Sequence, residues 1–532
     1  MAEPLIDIRP DHLEIVRGIL RKHVPQYPVW AFGSRVKWSA KEYSDLDLAV
    51  ITDEPLRISV SAALADDFCD SELPYKVDVV DWATTGASFR RIIKRDKVVV
   101  QGGGSKWGET TLGEITVWMS GGTPTKNEPA YWGGEIPWIS ASSLKTTRIK
   151  DSALKITEAG LQNGSRFADS DTILLLVRGS ELHKRIPIGI TLRPVAFNQD
   201  VKALRAKEGL LPVYLLYWFL GNELSLLAKV EQTGIGAGKL DTDVMKNLKI
   251  SLPSISEQSS IASILGALDD KIELNRRMNE TLEQIAQAIF KSWFVDFDPV
   301  RDKMEGRQPY GMDAETAALF PDAFEESEMG EIPRGWRIGA IGDISDNPRR
   351  GTSPNELEPS MSYIALDNMP RHSIALLEWG VAEGVESNKF RFKRGEILFG
   401  KLRPYFHKVG IAPVDGVCST DILVLAPKNE LWFAILIGHV SSDEFIKYTS
   451  AGSTGTKMPR TSWNDIASYK IVLPPDKLAK ILTNNIRPMI GRIIANIHES
   501  YVITSLRDAL LPKLLSGEIR VKDAEKMAEV AL

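Results

Sequence analysis

Residues 247–297 read NLKISLPSISEQSSIASILGALDDKIELNRRMNETLEQIAQAIFKSWFVDF, and the rest of the chain is organised around this stretch. A short apolar strand ends in Leu-Pro, and Ser254 to Glu257 then show the pattern of a helix-capping box. Because no proline follows and apolar residues recur at helical spacing, we predict one helix from Glu257 to Trp293, roughly 55 Å long. A helix of that length indicates a coiled-coil spacer.

A second copy of this design lies further along the chain. Residues 469–515 read YKIVLPPDKLAKILTNNIRPMIGRIIANIHESYVITSLRDALLPKLL, again a short strand, Leu-Pro and a long apolar seam. The two seams share one register when 221 is added to the first, which places Asn275 on Asn496. We therefore predict two long spacer helices, residues 254–297 and 475–516, with a tail at 517–532.

The segments that precede the two long helices resemble each other. Five pairs of segments match in the same order and at a similar offset, and a Gly-rich loop then precedes each strand. The pairs are TLGEIT (111–116) with AIGDIS (340–345), GGTPT (121–125) with RGTSP (350–354), PWISASSL (137–144) with SYIALDNM (362–369), DTILLLVRGS (171–180) with GEILFGKLRP (395–404), and FNQDVKAL (197–204) with CSTDILVL (418–425). This common order indicates an internal duplication.

The acidic charge of the chain is concentrated in one connector. The whole chain carries a net charge of −5, whereas residues 296–331 alone carry −8. Residues 101–295 carry +1 and residues 332–532 carry +4, so both repeats are mildly basic. Local basic patches for nucleic acid are therefore compatible with an acidic chain. We expect residues 298–335 to form an extended acidic connector between the two halves.

Composition and patterning exclude several other classes of protein. The hydrophobic fraction of 43% and the charged fraction of 25% are those of ordinary globular chains. No apolar run reaches the roughly 18 residues of a membrane span, and the first residues lack a secretory-signal pattern. Cys69 and Cys418 lie far apart in the sequence and are predicted to be reduced thiols. We expect a cytoplasmic protein with no membrane partner.

Residues 1–100 form a separate small α/β pattern, and QGGGS at 101–105 has the composition of a flexible linker. Gly33 and Ser34 follow a predicted strand, VWAF, as a turn. Such a turn offers backbone N–H groups and a hydroxyl group to a phosphate. The first domain is thus the sharpest candidate for chemistry.

Carboxylates on two predicted strands of this domain could hold a metal ion. Asp45 and Asp47 lie two residues apart on one strand, so their side chains point to the same face. Two carboxylates on one face can hold Mg²⁺, which carries nucleotide phosphates. The segment KVDVVDW (76–82) supplies Asp78 as a third carboxylate, with Asp81 as the alternative.

This pattern resembles the minimal nucleotidyltransferase domains found as antitoxins and protein adenylyltransferases, whose signature is Gly-Ser, a spacer, Asp-x-Asp and a later aspartate. The resemblance implies that Asp45 and Asp47 hold the metal ion and that Asp78 completes the site. It also implies that Gly33 and Ser34 bind the triphosphate, with Mg²⁺ and ATP as cofactors of this domain. Whether the domain is an active enzyme or an inert fusion stays open.

Basic residues recur at equivalent irregular places in the two repeats. Any one of them alone would be solvated surface, but as sets they are typical of loops that face a DNA groove. The candidate DNA-contacting residues are Lys145, Arg148, Arg178, Lys184, Arg185 and Lys239 in the first repeat and Arg349, Arg350, Lys401, Arg403, Lys457 and Arg460 in the second.

The Gly-rich loop of each repeat contributes to these sets. TGIGAGKL is not a phosphate-binding loop, because Thr233 stands in place of the first glycine and Leu240 in place of the hydroxyl residue. This loop and its counterpart AGSTGTKMPR (451–460) are either flexible turns or loops that touch DNA phosphates. The sequence shows no Cys–His metal cluster, no Ser-His-Asp arrangement and no methyltransferase cofactor motif.

Several segments of the duplicated part are distinctive in combination. They are FNQDVKAL, the strand-Leu-Pro-helix junctions at 247–258 and 469–480, FKSWFVDFDPV (290–300), and GMDAETAALFPDAF with GEIPRGW in the connector. From Trp107 onward the chain resembles the specificity subunit of a type I restriction-modification system. The resemblance implies target-recognition domains at 106–253 and 336–474, each reading one half of a split DNA sequence, and two long helices that pack antiparallel as a ruler.

The same resemblance implies partners. They are double-stranded DNA, methyltransferase subunits that flip out an adenine for N6 methylation, and a separate motor-nuclease restriction subunit. The specificity part then needs no cofactor and has no catalytic residue of its own. Asn275 and Asn496 become candidates for residues that fix the register of the helix pair near a pseudo-twofold axis.

The predicted architecture is an α/β multidomain chain. A nucleotidyltransferase-like α/β domain precedes two duplicated α+β target-recognition domains, and the long helix after each of them joins an antiparallel coiled coil. The predicted function is a non-catalytic DNA-specificity and scaffold subunit. The alternative is an enzyme whose first domain adenylylates a protein or an RNA, with the repeats delivering it to DNA.

Overall fold

The computed structural model describes residues 6–25, 27–41, 43–52, 54–101, 107–232, 236–453, 458–519 and 521–531. Apart from Gln101, the predicted linker lies outside these residues, as does Lys457. The chain divides into two compact units, residues 1–268 with 505–532 and residues 269–504. Within the described ranges, none of the helices combines the length and the apolar character that crossing a bilayer requires.

The N-terminal domain is a four-stranded sheet covered by three helices. Its elements are α1 (Pro10–His23), β1 (Val29–Phe32), β2 (Leu46–Val50), α2 (Ile58–Cys69), β3 (Val77–Asp81), α3 (Ala87–Asp96) and β4 (Val98–Gln101). The sheet order is β3-β2-β1-β4, in which β2 and β3 run parallel and the other neighbours antiparallel. Val16, Leu20, Leu46, Leu48 and Leu64 are buried in its core. This confirms the predicted small α/β domain.

The first repeat is built from short strands and short helices. Its strands are β5 (Gly108–Thr111), β6 (Thr116–Ser120), β7 (Trp132–Ile139), β8 (Arg148–Ile149), β9 (Lys155–Ile156), β10 (Arg166–Ala168), β11 (Ile173–Leu176), β12 (Arg178–Gly179), β13 (Ile188–Thr191), β14 (Val195–Phe197), β15 (Val201–Ala206), β16 (Glu231–Gln232), β17 (Gly238–Lys239) and β18 (Lys249–Leu252). Its helices are α4 (Leu112–Ile115), α5 (Glu158–Gln162), α6 (Pro212–Gly221), α7 (Glu223–Leu227) and α8 (Thr242–Lys246). Helix α6 packs against the β15-β11-β13 sheet, and six of its ten residues are buried.

The first long helix, α9, spans Ile255–Phe294 and has 40 residues. At 1.5 Å per residue it is about 60 Å long. The predicted capping box is formed, since Glu257 N donates to the Ser254 hydroxyl at 3.3 Å and Ser254 N donates to the Glu257 carboxylate at 3.2 Å. Local sequence therefore determines where this helix begins.

The acidic connector is folded, so the expectation of an extended chain was wrong. It forms α10 (Asp298–Met304), α11 (Ala314–Ala317) and a hairpin of β19 (Phe324–Ser327) with β20 (Gly330–Pro333). Phe320 and Ile332 are buried with Phe297, at the end of the first long segment, and with Trp336, where the next strand begins. The high net charge predicted an extended segment, and the few apolar residues are too widely spaced to form a pattern. In the structure the acidic side chains remain on the surface while the aromatic rings pack inward.

The second repeat has its own set of elements. Its strands are β21 (Arg337–Ala340), β22 (Ser345–Asp346), β23 (Gly351–Thr352), β24 (Ser362–Ile364), β25 (Gly380–Val381), β26 (Lys389–Phe392), β27 (Ile397–Gly400), β28 (Val409–Ile411), β29 (Gly416–Cys418), β30 (Ile422–Pro427) and β31 (Lys470–Leu473). Its helices are α12 (Ile341–Ile344), α13 (Phe433–Val440), α14 (Asp443–Ala451) and α15 (Trp463–Ala467).

Strand pairing confirms the duplication. The order β6-β15-β11-β13 in the first repeat corresponds to β22-β30-β27-β28 in the second. In a further sheet, β14 pairs parallel with β7 and antiparallel with β10, as β29 does with β24 and β26. The strand before each long helix pairs with the first strand of its repeat, β18 with β5 and β31 with β21. Both repeats are thus one α+β design.

The second long helix, α16, spans Asp476–Leu515, again 40 residues, and α17 (Val521–Ala531) follows it. Asn275 contacts Ser500, and Asn279 contacts Asn496, so the partner number falls as the number along α9 rises. The two long helices therefore pack antiparallel, as predicted. Further apolar residues of α16, including Leu482, are buried in the core of the second unit.

Candidate nucleic-acid interface and nucleotide site

Asp47 lies at the centre of a carboxylate cluster in the N-terminal domain. It stands beside Asp78 in the parallel pairing of β2 with β3 and opposite Phe32 in the antiparallel pairing of β2 with β1. Gly33 follows Phe32 with φ of +84°, and a Cβ atom there would lie 2.1 Å from Asp47 Oδ2. Only glycine therefore allows the backbone turn to approach this carboxylate so closely.

The charges of this cluster are poorly balanced by the protein itself. Burial raises the pKa of Asp47, and the nearby carboxylates of Asp78 and Asp45 raise it further. Lys76 forms an ion pair with Asp78 at 2.5 Å between Nζ and Oδ1. Carboxylate oxygens are the ligand type that hard divalent cations prefer, but Asp45, Asp47 and Asp78 do not form a three-donor group within 4.8 Å among the described residues.

The structure separates the two alternatives for the third carboxylate. Asp81 accepts hydrogen bonds from Leu56 N at 2.7 Å, from Ala83 N at 3.0 Å and from the Thr52 hydroxyl group. Its oxygens therefore hold the chain together locally. Asp78 stands next to Asp47 instead, so we retain Asp78 as the third member of the candidate site.

In the first repeat, the candidate DNA-contacting residues lie on neighbouring segments. Arg178 is directly opposite Lys239 in the antiparallel pairing of β12 with β17. The Arg185 guanidinium donates to Leu144 O at 3.0 Å, which places it beside Lys145. We call the set Lys145, Arg148, Arg178, Lys184, Arg185 and Lys239 the first basic cluster. All of its members except the half-exposed Arg185 are exposed.

In the second repeat, the structure brings together three of the predicted residues. Leu402 forms an isolated β-bridge with Arg460, Thr461 N donates to Lys401 O at 3.1 Å, and Arg403 N donates to Pro459 O at 2.8 Å. We call Lys401, Arg403 and Arg460 the second basic cluster. The Arg460 guanidinium also pairs with Asp421 at 3.2 Å.

Arg349 and Arg350 lie elsewhere in the second repeat. The Arg350 guanidinium makes two hydrogen bonds to Glu396, at 2.9 and 2.7 Å, and is half-buried. Glu396 precedes β27 and Lys401 follows it, so about 16 Å of extended chain separates this pair from the second basic cluster. Much of the donor capacity of Arg350 is thus used inside the fold.

A polar layer interrupts the apolar seam between the long helices. Asn496 Nδ2 donates to Asn279 Oδ1 at 2.9 Å. Asn275 Nδ2 donates to the Glu499 carboxylate at 2.9 Å and to the Ser500 hydroxyl at 3.2 Å. Asn275 and Asn496 are 1% and 0% exposed, so both lie in the interior of the helix pair.

Comparison with known proteins agrees with this geometry. The family model described as "Type I restriction modification DNA specificity domain" matches residues 104–284. The type I restriction enzyme MjaIX specificity subunit of Methanocaldococcus jannaschii is 28% identical over 443 residues, which cover 78% of this chain and 94% of the relative. The EcoR124I/EcoR124II specificity subunit of Escherichia coli is 35% identical over 161 residues, 30% of this chain and 40% of the relative.

The chain is similar to type I restriction specificity subunits over 78% of its length. Its role is therefore DNA sequence specificity, and both repeats of the specificity subunit carry the same α+β design.

The specificity subunit also carries an N-terminal nucleotidyltransferase-like domain. The family model "Polymerase beta, Nucleotidyltransferase" matches residues 16–102. The probable protein adenylyltransferase MntA of Haemophilus influenzae is 53% identical over 96 residues, which cover 18% of this chain and 84% of the relative. Asp45, Asp47 and Asp78 all lie within the matched region.

Sequence reasoning missed an important residue on α9 of the specificity subunit. Glu283 is 5% exposed and accepts hydrogen bonds from the Ser373 hydroxyl at 2.9 Å, Ile374 N at 3.2 Å and Ala375 N at 3.1 Å. Burial raises its pKa, although these hydrogen bonds act in the opposite direction. In the sequence, this residue is one acidic position among several on a long helix, and nothing marks it as buried.

Sequence reasoning, which looked for a Cys–His metal cluster, also missed a group of two histidines and one aspartate. His372, His407 and Asp443 offer one ligand atom each, and these atoms lie within 4.8 Å of one another. The three residues are 35 and 36 positions apart, so they show none of the short spacings by which metal sites are recognised in a sequence. Folding of the second repeat alone brings them together.

Proposed function

We propose that the two repeats of this specificity subunit each read one half of a bipartite DNA site. The observation that carries the proposal is a pair of equivalent contacts. Arg178 faces Lys239 in the first repeat, and Leu402 faces Arg460 in the second. Adding 221 to Lys239 gives Arg460, so both repeats present a cation at the same place in the fold.

Physical chemistry favours these clusters as the DNA-facing surfaces. Lysine and arginine side chains on exposed loops neutralise phosphates and fix the orientation of a protein on the duplex, while further contacts to base edges select the sequence. Arg178 and Lys239 provide two such cations on adjacent short strands. Lys401 and Arg403 provide cations beside Arg460 in the second repeat. Lys457 lies outside the described residues and stays a sequence-based candidate.

The antiparallel helix pair is the proposed spacer of the bipartite site. Each long helix follows one repeat directly in the sequence, and its length is set by its own residues from Ile255 and from Asp476 onward. The register of the pair is fixed in this proposal by the buried Asn275 and Asn496. The spacing between the two half-sites then depends on helix length, as half-site spacing does in other paired readers.

Methyltransferase subunits and a motor-nuclease subunit are the proposed protein partners. The specificity subunit contributes recognition and a scaffold, and the chemistry on adenine and on the DNA backbone belongs to the partners. Base flipping is required because the exocyclic nitrogen of a stacked adenine is out of reach of an enzyme active site. Because the substrate is cellular DNA, we place the assembly in the cytoplasm.

The N-terminal domain is proposed to bind a nucleoside triphosphate with Mg²⁺. Asp45, Asp47 and Asp78 would hold the ion, and the turn at Gly33 and Ser34 would hold the phosphates. The bound ion would neutralise phosphate charge and so favour attack at a phosphorus atom. The unbalanced carboxylates around Asp47 and the clearance that Gly33 provides support this proposal. Restriction specificity itself does not depend on this site in our proposal.

Methylome sequencing tests the bipartite model directly. A host that expresses the specificity subunit with its methyltransferase partner should carry N6-methyladenine in sites with two defined halves and an unspecified gap of constant length. A host without the specificity subunit is the control. Methylation in a single uninterrupted motif would contradict the assignment of one half-site to each repeat.

A further inference from the structure

Three side chains of the second repeat form a compact donor set that the proposed function does not use. The Nδ1 atom of His407 lies 3.4 Å from Oδ1 of Asp443, and the rings of His372 and His407 are 4.4 Å apart between centroids. The ligand atoms of all three lie within 4.8 Å of one another. Two imidazoles and a carboxylate are a common ligand combination for zinc-like ions.

The hydrogen bonding of His407 determines which of its ring nitrogens is available. The Nε2 atom lies 2.9 Å from Ser441 O, and a carbonyl oxygen only accepts, so Nε2 carries the proton and donates. In the neutral ring, Nδ1 then has a free lone pair. A backbone carbonyl that orients a histidine through its other nitrogen is the usual arrangement around metal-bound imidazoles.

The Nδ1 atom itself is buried and has no hydrogen-bond partner. The side chain of His407 is only 8% exposed, and its lone pair faces the carboxylate of Asp443. Two acceptors that face each other at 3.4 Å repel unless a cation lies between them. A proton would satisfy His407 and Asp443 alone, whereas a metal ion also explains why His372 is held at the same place.

The backbone holds both histidines in an uncommon conformation. His372 has φ of +55° and His407 has φ of +50°, both in the left-handed region. His372 N donates to His407 O at 3.0 Å, which joins the two segments. Conformations of this kind cost free energy and persist where the surroundings require a particular side-chain position.

Solvent can reach the donor set. His372 and Asp443 are exposed, and a cavity of about 330 Å³ lies beside them. The charged residues that line the cavity besides Asp443 are Lys291 and Glu444, and the ammonium of Lys291 is paired with Asp296. The charge of Lys291 is therefore already neutralised by Asp296. The carboxylates of Asp443 and Glu444 make the opening of the cavity favourable to a divalent ion.

We propose that His407 Nδ1, a ring nitrogen of His372 and the carboxylate of Asp443 bind a late first-row divalent metal ion of the zinc class, with water as the fourth ligand. Bonds of 2.0–2.1 Å in a tetrahedral site place ligand atoms about 3.3 Å apart, close to the observed separation of His407 and Asp443. Rotation of the exposed side chains of His372 and Asp443 would bring the three ligand atoms, which lie within 4.8 Å of one another, to these bonding positions. The ion would tie together three segments that are distant in sequence.

The first repeat provides a matched control. His183 stands at the position equivalent to His407, since 224 separates both this pair and the matching segments 171–180 and 395–404. Its Nε2 atom is 3.1 Å from Gly236 O, and it belongs to no three-donor group among the residues that the structure describes.

The test is metal binding by the full-length chain, in which Asp45→Asn and Asp47→Asn remove metal ligands of the N-terminal domain. After chelator treatment, Zn²⁺ is titrated against a chromophoric competitor, and Co²⁺ binding is followed by its visible absorption. We expect one ion per chain, bound at least ten-fold more weakly after His372→Gln or Asp443→Asn and unchanged after His183→Gln. Because His372 and Asp443 are exposed, these two variants should fold, and circular dichroism checks that they do. Absence of stoichiometric binding, or equal binding by all variants, overturns the proposal.

Discussion

Asn496 donates a hydrogen bond of 2.9 Å to Asn279, and one turn away Asn275 donates to Ser500 at 3.2 Å. With the offset of 221 between the helices, Asn275 is equivalent to Asn496 and Asn279 to Ser500. Asn275 of α9 contacts Ser500 of α16, and Asn496, the equivalent of Asn275, contacts Asn279, the equivalent of Ser500. The same contact is therefore made twice, with the two helices exchanged. This exchange is what a local twofold axis between two equivalent helices produces. Asn275 and Asn496 are related by that axis and are not direct partners.

Removal of one amide from this layer should destabilise the helix pair. Asn496→Ala leaves Asn279 buried without its partner, and we expect a loss of about 1–3 kcal/mol in the free energy of unfolding. The double variant Asn279→Leu with Asn496→Leu replaces both polar groups by apolar ones and should regain most of this loss. Thermal unfolding measures both effects, with the exposed Asn485→Ala as control. If Asn496→Ala unfolds at the same temperature as the control, the layer does not stabilise the pair.

A matched deletion in both helices should shorten the gap in the recognised DNA site. Removing residues 268–274 and 501–507 takes one heptad from each helix and leaves the polar layer in place. Seven residues correspond to about 10.5 Å of helix, or about three base pairs, with little change in rotation. Methylome sequencing would report the new gap. A complex that assembles, by size-exclusion chromatography, and still methylates sites with the original gap rules out the spacer model.

Loss of the equivalent cations should weaken DNA binding without changing the sequence that is read. We expect Lys239→Ala and Arg460→Ala each to lower the affinity of the assembled methyltransferase complex and to reduce its salt dependence by about one ion. Fluorescence anisotropy over a range of salt concentrations measures this. Lys249→Ala, an exposed lysine of β18, is the matched control. An unchanged salt slope in both cluster variants would remove these residues from the interface.

The N-terminal domain should bind nucleotide independently of restriction. Asp45→Ala with Asp47→Ala should abolish Mg²⁺-dependent binding of a fluorescent ATP analogue, because the remaining carboxylate of Asp78 is paired with Lys76. Asp66→Asn, an exposed position on α2, should bind as the wild type does. Restriction and methylation by the assembled complex should persist in the double variant. Loss of both activities from an intact complex would show that this domain is essential for specificity.

The buried carboxylate of Glu283 should give stability a measurable pH dependence. Its folded-state pKa lies above the ordinary value of 4.5 because of burial. The folded chain therefore holds this proton to higher pH than the unfolded chain, and stability falls as pH rises through the window above 4.5. Glu283→Gln removes this contribution, so its stability relative to wild type should increase as pH rises through that window. Thermal unfolding at several pH values measures the difference, and exposed Glu386→Gln should show none.

The sequence was sufficient wherever one continuous stretch carried the whole signal. The Ser254 capping box and the unbroken apolar seam predicted α9 within a few residues at each end. The ordered segment matches predicted the shared topology of the repeats. Asp45 directly precedes β2 and Asp47 lies in it, and their shared role in holding a metal ion stays a prediction.

Features that depend on contacts between distant segments were not predictable in this way. The connector was misjudged because its apolar anchors, such as Phe320, are spaced too far apart to form a periodic pattern. Glu283 looked like a surface residue, since a buried carboxylate is uncommon and its three donors lie some 90 residues away. The meeting of His372 with His407 depends on two left-handed backbone positions, for which the sequence contains no glycine signal.

The carboxylate of Glu283 also affects which substitutions the loop at residues 373–375 can accept. Two of its three donors are the backbone N–H groups of Ile374 and Ala375, which every residue other than proline supplies. The attachment of this loop to α9 therefore depends little on which side chains the loop carries. Sequence change there can proceed without detaching the loop from the spacer helix, whereas a side chain without an acceptor oxygen at position 283 removes the attachment whatever the loop sequence is.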